Sequence, residues 1–332
     1  MACGFGSSMA TLMAHPKRKF TSVCVGEVEI PVAADGTLRT VHFGVTVIVI
    51  DAQQWRLNIN ARYASEQFRM LPAMHARNGS PGVDIMFHTI EYLELLRRVT
   101  GRVSPVDGDL LVSVCNIPNL NNAFWTGGKN LGYMIYGNGD GSAMRALVGA
   151  DVVAHELTHA LTETMCDLVY SGESGALNES LSDCFGTACE AFEYAKYNND
   201  GDPNNDLLGS ADWEIGEDVV LNLNGRRKLR DMANPKSCKQ PSVYGQGEYW
   251  VDPMDLRFDN GGVHINSGVP NHFFYRLCSR HGTMLQPLML LVRVMRVCST
   301  TTTLLEFATH CRQQTTVAMQ KLVEQSLEDV GL

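Results

Sequence analysis

ADVVAHELTHALTE, residues 150–163, places two histidines and a glutamate in the order His155-Glu156-x-x-His159. Residues 151–170 contain neither proline nor glycine, and Asp151 is placed to cap the helix that carries the two histidines. Residues four apart on a helix share a face, with Cβ atoms about 5–6 Å apart. Both imidazoles then project to one side, a geometry that suits two ligands of a single tetrahedral ion. Two polar residues on an ordinary helix face would give the same string, and so short a pattern does not separate the two readings.

The chain supplies more. In SGALNESLSD, residues 174–183, Glu179 and Asp183 are again four apart, on a second helix expected over 176–194. A catalytic zinc needs a third protein ligand and an open position for water, and Glu179 would complete a His-His-Glu set. Asp183 would accept from the far nitrogen of a ligand histidine and fix its tautomer. Two carboxylates turned toward two histidines are costly to bury without a cation, whereas on a solvated face they need none.

At 332 residues the chain can bury a large core and is long enough for two domains. A formal net charge of −9, with no dense basic tract beyond HPKRK at 15–19, excludes nucleic acid as an electrostatic partner. No membrane partner is expected either. VHFGVTVIVI (41–50) is only strand length, and MLQPLMLLVRVMRV (284–297) is interrupted by Pro287, Arg293 and Arg296. The opening MACGFGSSMATLMAHPKRKF puts its basic residues after the apolar run, the reverse of a secretory signal. Ten cysteines without a CxxC pair read mostly as reduced, buried thiols, with a disulfide among some of them left open.

The first part of the chain reads as strand-rich. SVCVGEVEIPV (22–32), VHFGVTVIVIDA (41–52), WRLNINARY (55–63) and LLVSVCNI (110–117) carry the β-branched residues of strands. A helix is expected over 84–101, with Ile85, Ile90, Leu93 and Leu96 as its apolar stripe and Gly101 as its stop. From 151 onward the pattern turns helical, and a polar stretch after residue 195 reads as a loop. The expectation is an α+β chain: a β-rich N-terminal domain, a mainly helical C-terminal domain, and the histidine helix at the cleft between them.

With both motifs in hand, the chain resembles the thermolysin family of neutral zinc metalloproteases. HELTH and GALNESLSD, with Glu179 falling 20 residues after His159, match that family's pattern. NNAFW (121–125) resembles its substrate-binding edge strand, DNGGVHINSG (259–268) its catalytic-histidine loop, and VEQSLEDVGL (323–332) its C-terminal helix. The resemblance runs from about residue 84 to 332. It implies domains over 41–150 and 151–332, with 1–40 an extension or short pro-segment.

The resemblance also implies roles. Glu156 would be the general base, Tyr170 and His264 donors to the developing oxyanion, and Asp259 the residue that orients His264. Asn122, Ala123 and Arg230 would hold the substrate backbone. Met144, Val152, Ile215, Val219 and Leu229 would line an apolar pocket favouring a large hydrophobic residue just after the cut. Asp151, Glu190, Asp212, Glu214 and Glu217 would form a paired-calcium site, since converging carboxylates need a hard cation. The implied activity is a zinc endopeptidase cutting peptide or protein substrates, expected as a monomer; the alternative is a catalytically silent binding protein on the same fold.

Three features depart from the family's pattern. The segment between Glu190 and DWEIGE is longer than usual, the cysteines are unusually many, and neither a signal peptide nor a long propeptide is recognisable. The family is usually secreted; this sequence points to a cytoplasmic protein or to leaderless export.

Overall fold

Val45, Val47 and Val49 alternate with Thr46, Ile48 and Ile50, a period of two that sends neighbouring side chains to opposite faces of a strand. A computed structural model of the chain describes residues 16–24, 26–55, 71–128, 131–198 and 207–332. In it the three valines pack into the main core, while Ile48 and Ile50 join a smaller apolar cluster on the other face, with Val112, Val114 and Ile135.

That strand is β4 (Val45–Asp51), part of a five-stranded sheet with β3 (Arg39–His42), β5 (Leu110–Ile117), β6 (Ala123–Gly128) and β7 (Leu131–Gly137). The order is β3-β4-β5-β7-β6. The β4/β5 and β5/β7 pairs are parallel and the outer pairs antiparallel, so β6 is an edge strand with one side open. The single strand expected over 41–52 is two strands. The chain folds back at Phe43 and Gly44, whose φ values of 49° and 86° build a tight turn that an unbroken strand could not contain.

β1 (Lys17–Thr21) and β2 (Glu27–Pro31) form a separate hairpin, so the strand expected over 22–32 begins only at Glu27. The residues before it serve another purpose. Ser22 Oγ donates to the buried Asp84 carboxylate at 2.5 Å, as do the amides of Val23 and Cys24 at 3.0 Å, tying the hairpin to the first long helix. The strand expected over 55–63 lies outside the described residues apart from Trp55, which ends the short α1 (Ala52–Trp55).

Helix α2 (Pro81–Thr100) starts three residues before its expected position, because proline suits the first turn, where its missing N–H costs nothing. Gly101 stops it in a left-handed conformation, as expected. The two motif helices are α3 (Ala150–Met165) and α4 (Gly172–Asn198), the latter longer at both ends than the expected 176–194. They pack closely because Gly186 has no side chain: a Cβ there would lie 2.8 Å from the backbone oxygen of Asp151. The expected cap of α3 is corrected. Gly149 is the N-cap, and Asp151 instead turns its carboxylate to the amides of Val152 (2.7 Å) and Gly216 (2.5 Å).

Residues 207–258 are mostly turns and irregular backbone around a small ladder of β8 (Glu214–Ile215) and β9 (Arg230–Asp231), and the chain then turns helical: α5 (Asp259–Asn266), α6 (Gly268–His281), α7 (Leu285–Met295), α8 (Leu304–Gln314) and α9 (Gln320–Asp329). Phe273, Phe274 and Leu277 of α6 are completely buried and join the core shared with α4. No helix among the described residues is long and apolar enough to cross a membrane. Of the nine described cysteines, seven are buried and two half-buried.

Candidate metal centre and substrate cleft

Helical spacing places the first two candidates. His155 and His159 sit one turn apart on α3, their rings edge-to-face with centroids 4.6 Å apart. Glu179 comes from α4 on the opposite wall, its carboxylate 3.6 Å from His155 Nε2 and 3.4 Å from His159 Nε2. One donor atom from each of the three lies within 4.8 Å of the others.

The remaining nitrogens are spoken for. His155 Nδ1 bonds Asp183 Oδ1 at 2.8 Å, and His159 Nδ1 bonds Asn178 Oδ1 at 2.9 Å with Ser182 Oγ at 3.2 Å. Each ring therefore presents Nε2 to the same point as Glu179. Glu179 Oε2 is buried with no hydrogen-bond partner, the expensive state that a cation would relieve. The donor set and the orphaned oxygen fit a metal ion held by His155, His159 and Glu179.

Electrostatics sharpen the picture. Burial opposes ionisation of Glu179, but His264, His155 and His159 outweigh it and hold the carboxyl down at about 2. Burial pushes Glu156 up to about 7, with His159 opposing and Glu179 reinforcing the shift. Glu156 Oε2 also lacks a partner. Two buried carboxyls one helix apart are thus driven in opposite directions, one to permanent charge and one to the range where protons come and go.

Opposite the two histidines stand Tyr170 and His264. The Tyr170 hydroxyl donates to Glu179 and lies 3.0 Å from His264 Nε2. Asp259 accepts from the backbone amide of His264 at 2.8 Å and bonds its Nδ1 at 2.6 Å. This geometry needs Gly261 and Gly262, whose φ values of 86° and 76° turn the chain where a side chain would collide with Pro253 and Val251. Burial lowers the affinity of His264 for a proton, yet Glu179 and Asp259 more than restore it, so its pKa rises.

These residues face a cleft of about 760 Å³, walled on one side by β6. Asn122, Ala123, Met144, Val152, Ile215, Leu229 and Arg230 all line it. Val219 does not. It is fully buried behind Met144 and Val152 and supports the apolar wall from beneath. Asp183 and Asp259 likewise stand behind the histidines they touch. Arg230 is directed mainly at Asp183, bonding it through Nε and Nη2, both at 2.6 Å.

Of the five acidic residues expected to gather elsewhere, Asp151, Glu190, Asp212 and Glu217 lie close enough to act on one another's charge, and Glu190 and Glu217 come together with Asp218, a residue the sequence reading did not include. Asp151 also accepts from backbone amides, and Glu214 pairs with Lys228 at 2.5 Å. Burial, reinforced by Asp151 and Asp212, pushes Glu217 up to about 8, and burial with Asp151 also raises Glu190.

Several residues of the cleft carried no readable signal. Asn178 holds His159, Gln240 Nε2 bonds the backbone oxygen of His264 at 2.6 Å, and Trp125 Nε1 donates to Glu163 at 2.7 Å across the cleft. Asn178 is the one that spacing could have exposed, since it adjoins Glu179 and shares a helix face with Ser182.

Comparison with known proteins gives a consistent result. The family model described as thermolysin metallopeptidase, catalytic domain, matches residues 45–163, and the thermolysin metallopeptidase alpha-helical domain matches 166–325. Bacillolysin of Bacillus cereus is 40% identical over 162 residues, covering 48% of this chain and 24% of that protein. The extracellular elastase of Staphylococcus epidermidis is 38% identical over 202 residues, covering 58% of this chain and 34% of that protein. The chain therefore spans only a quarter to a third of the length of these two relatives. Among solved structures, the precursor of protealysin, a metalloproteinase from Serratia proteamaculans, superposes with a TM-score of 0.67 at 25% identity, covering 86% of this chain and 87% of that one.

Proposed function

This chain belongs to the thermolysin metallopeptidase family, its two domain models together running from residue 45 to 325, and from that premise we propose that it is a zinc endopeptidase that hydrolyses internal peptide bonds. The observation that carries the reading is the convergence of His155, His159 and Glu179 on one point, with Glu156 beside them on the same helix and one of its carboxylate oxygens left without a hydrogen-bond partner.

Held by those three residues, zinc would supply Lewis acidity and make a water nucleophilic near neutral pH. The chain's own groups do the rest. Glu156, with a proton affinity near neutrality, takes a proton from the attacking water at its carboxylate and passes it to the leaving amine. Tyr170 Oη and His264 Nε2 donate to the oxygen that gains charge as the carbonyl becomes tetrahedral, and Asp259 aims His264. The open side of β6, with Asn122 and Ala123, offers backbone and amide groups to an extended peptide, while Arg230 presents the nitrogen that Asp183 leaves unused. Met144, Val152, Ile215 and Leu229 form the apolar wall that would favour a large hydrophobic residue on the C-terminal side of the cut.

The proposal extends to a structural calcium at Glu190, Glu217 and Asp218, where burial, Asp151 and Asp212 raise the proton affinity of Glu217 and Glu217 Oε2 has no partner. A catalytically silent binding protein is the weaker reading, because none of the chemical residues has been lost. The test is hydrolysis of an internally quenched peptide by the purified protein. Activity should vanish on chelation and return with zinc; activity indifferent to chelation would refute the metal mechanism.

A further inference from the structure

The two histidines of the metal centre are propped in different ways. His159 leans on Asn178 and Ser182, both on α4, the helix that carries Glu179. His155 leans on Asp183 alone, and what holds Asp183 comes from farther away. Asp183 is completely buried, and its two oxygens accept four hydrogen bonds. Oδ1 takes His155 Nδ1 (2.8 Å) and Arg230 Nη2 (2.6 Å); Oδ2 takes Arg230 Nε (2.6 Å) and Asn271 Nδ2 (2.7 Å).

This arrangement leaves the carboxylate no freedom. The guanidinium fork of Arg230, on β9, fixes the plane of the group, and Asn271, on the first turn of α6, closes its outer edge. The lone pair aimed at His155 Nδ1 is thereby fixed, and with it the direction of Nε2. Asn271 is itself 1% exposed and touches neither the cleft nor the histidines.

We propose that Asn271 and Arg230 are positioning residues for the metal, acting on His155 through Asp183. The grip on the cation then depends on two residues that never touch it, one of them in the helix that follows the His264 loop. Arg230 has a double assignment, since the guanidinium that would hold the peptide also steadies the carboxylate behind the metal ligand. This inference rests on the metal site proposed above.

The experiment measures zinc affinity, without reference to turnover, by competition with a chromophoric chelator. Metal-free wild type is compared with Asn271→Leu, which keeps the volume and removes the amide, with the milder Asn271→Ser, and with Arg230→Met. Circular dichroism and thermal unfolding of the metal-free proteins report folding separately. Loss of a group that orients a ligand histidine weakens metal binding about 10–100-fold, and that loss is expected in all three. The decisive arm repeats the substitutions in an Asp183→Asn background. If Asn271 and Arg230 act through Asp183, their effects there largely disappear, a non-additivity that general damage to the fold would not produce. Wild-type zinc affinity in both Asn271 variants overturns the inference, as do losses equally large in the Asp183→Asn background. A zinc-loaded wild type that cleaves no peptide would refute the proposed activity and leave this inference standing.

Discussion

Asp259→Ala should damage catalysis without touching substrate or metal. Asp259 makes two bonds to His264, at 2.6 Å to Nδ1 and 2.8 Å to the backbone amide. With Nδ1–H committed to Asp259, a neutral His264 carries no hydrogen on Nε2, so only the imidazolium can donate toward the cleft. Removing a donor to the oxyanion costs about 10²–10³ in kcat, or roughly 2.7–4 kcal/mol. His264→Ala is expected to lose that amount, and Asp259→Ala up to that amount, with KM little changed because the interaction belongs to the transition state. The double variant should be no worse than His264→Ala alone.

The pH profile carries a second signature. The pKa of His264 is raised, so its donation is fully present at low pH and is lost as pH rises through that raised value. Asp259→Ala removes one of the groups that raise it, so the alkaline limb of kcat should move to lower pH. Steady-state hydrolysis of a quenched peptide across pH measures both effects. A double variant distinctly slower than His264→Ala, or a loss confined to KM, would refute this reasoning.

Two further expectations concern stability. His88 is buried against Glu193 at 2.8 Å, and although burial lowers its proton affinity, Glu193 outweighs that and raises its pKa above the ordinary histidine value. The stability it contributes is therefore complete below that ordinary value and lost as pH rises through the raised one; the thermal midpoint should fall across that window, and His88→Gln should flatten the fall. Phe273, fully buried and edge-on to Phe307 at a centroid distance of 5.7 Å, should cost about 3–5 kcal/mol when cut to alanine, read from denaturant unfolding. A cost near zero would mean that the α6–α8 contact is not part of the core.

The sequence made the centre of the molecule legible and its margins much less so. Helical spacing alone brought His155, His159, Glu179 and Asp183 to their faces, because local periodicity fixes direction wherever a helix is long and buried. β5 over 110–117 was readable for the same reason, as an apolar run between turn residues. The break at Phe43–Gly44 was not, since a β-branched run on both sides hides a turn whose signal is one glycine. The acidic cluster was legible in its membership but not in its detail. Asp151, Glu190, Asp212 and Glu217 lie close enough to act on one another's charge, but the part played by Asp218, the amide of Gly216 on Asp151 and the pairing of Glu214 with Lys228 leave no trace in local spacing. Asn271 is the extreme case: it contacts Asp183 across 88 positions of sequence, and only the packing of α6 on α4 reveals it.

The most direct test of the central claim is to map every cut in an unfolded protein substrate by mass spectrometry. Wild type is run beside Glu156→Gln and beside a chelator-treated sample. The predicted result is cleavage on the N-terminal side of Leu, Phe or Ile, absent from both controls. A protein shown to hold zinc that yields no cuts, or cuts that persist in Glu156→Gln, would contradict it.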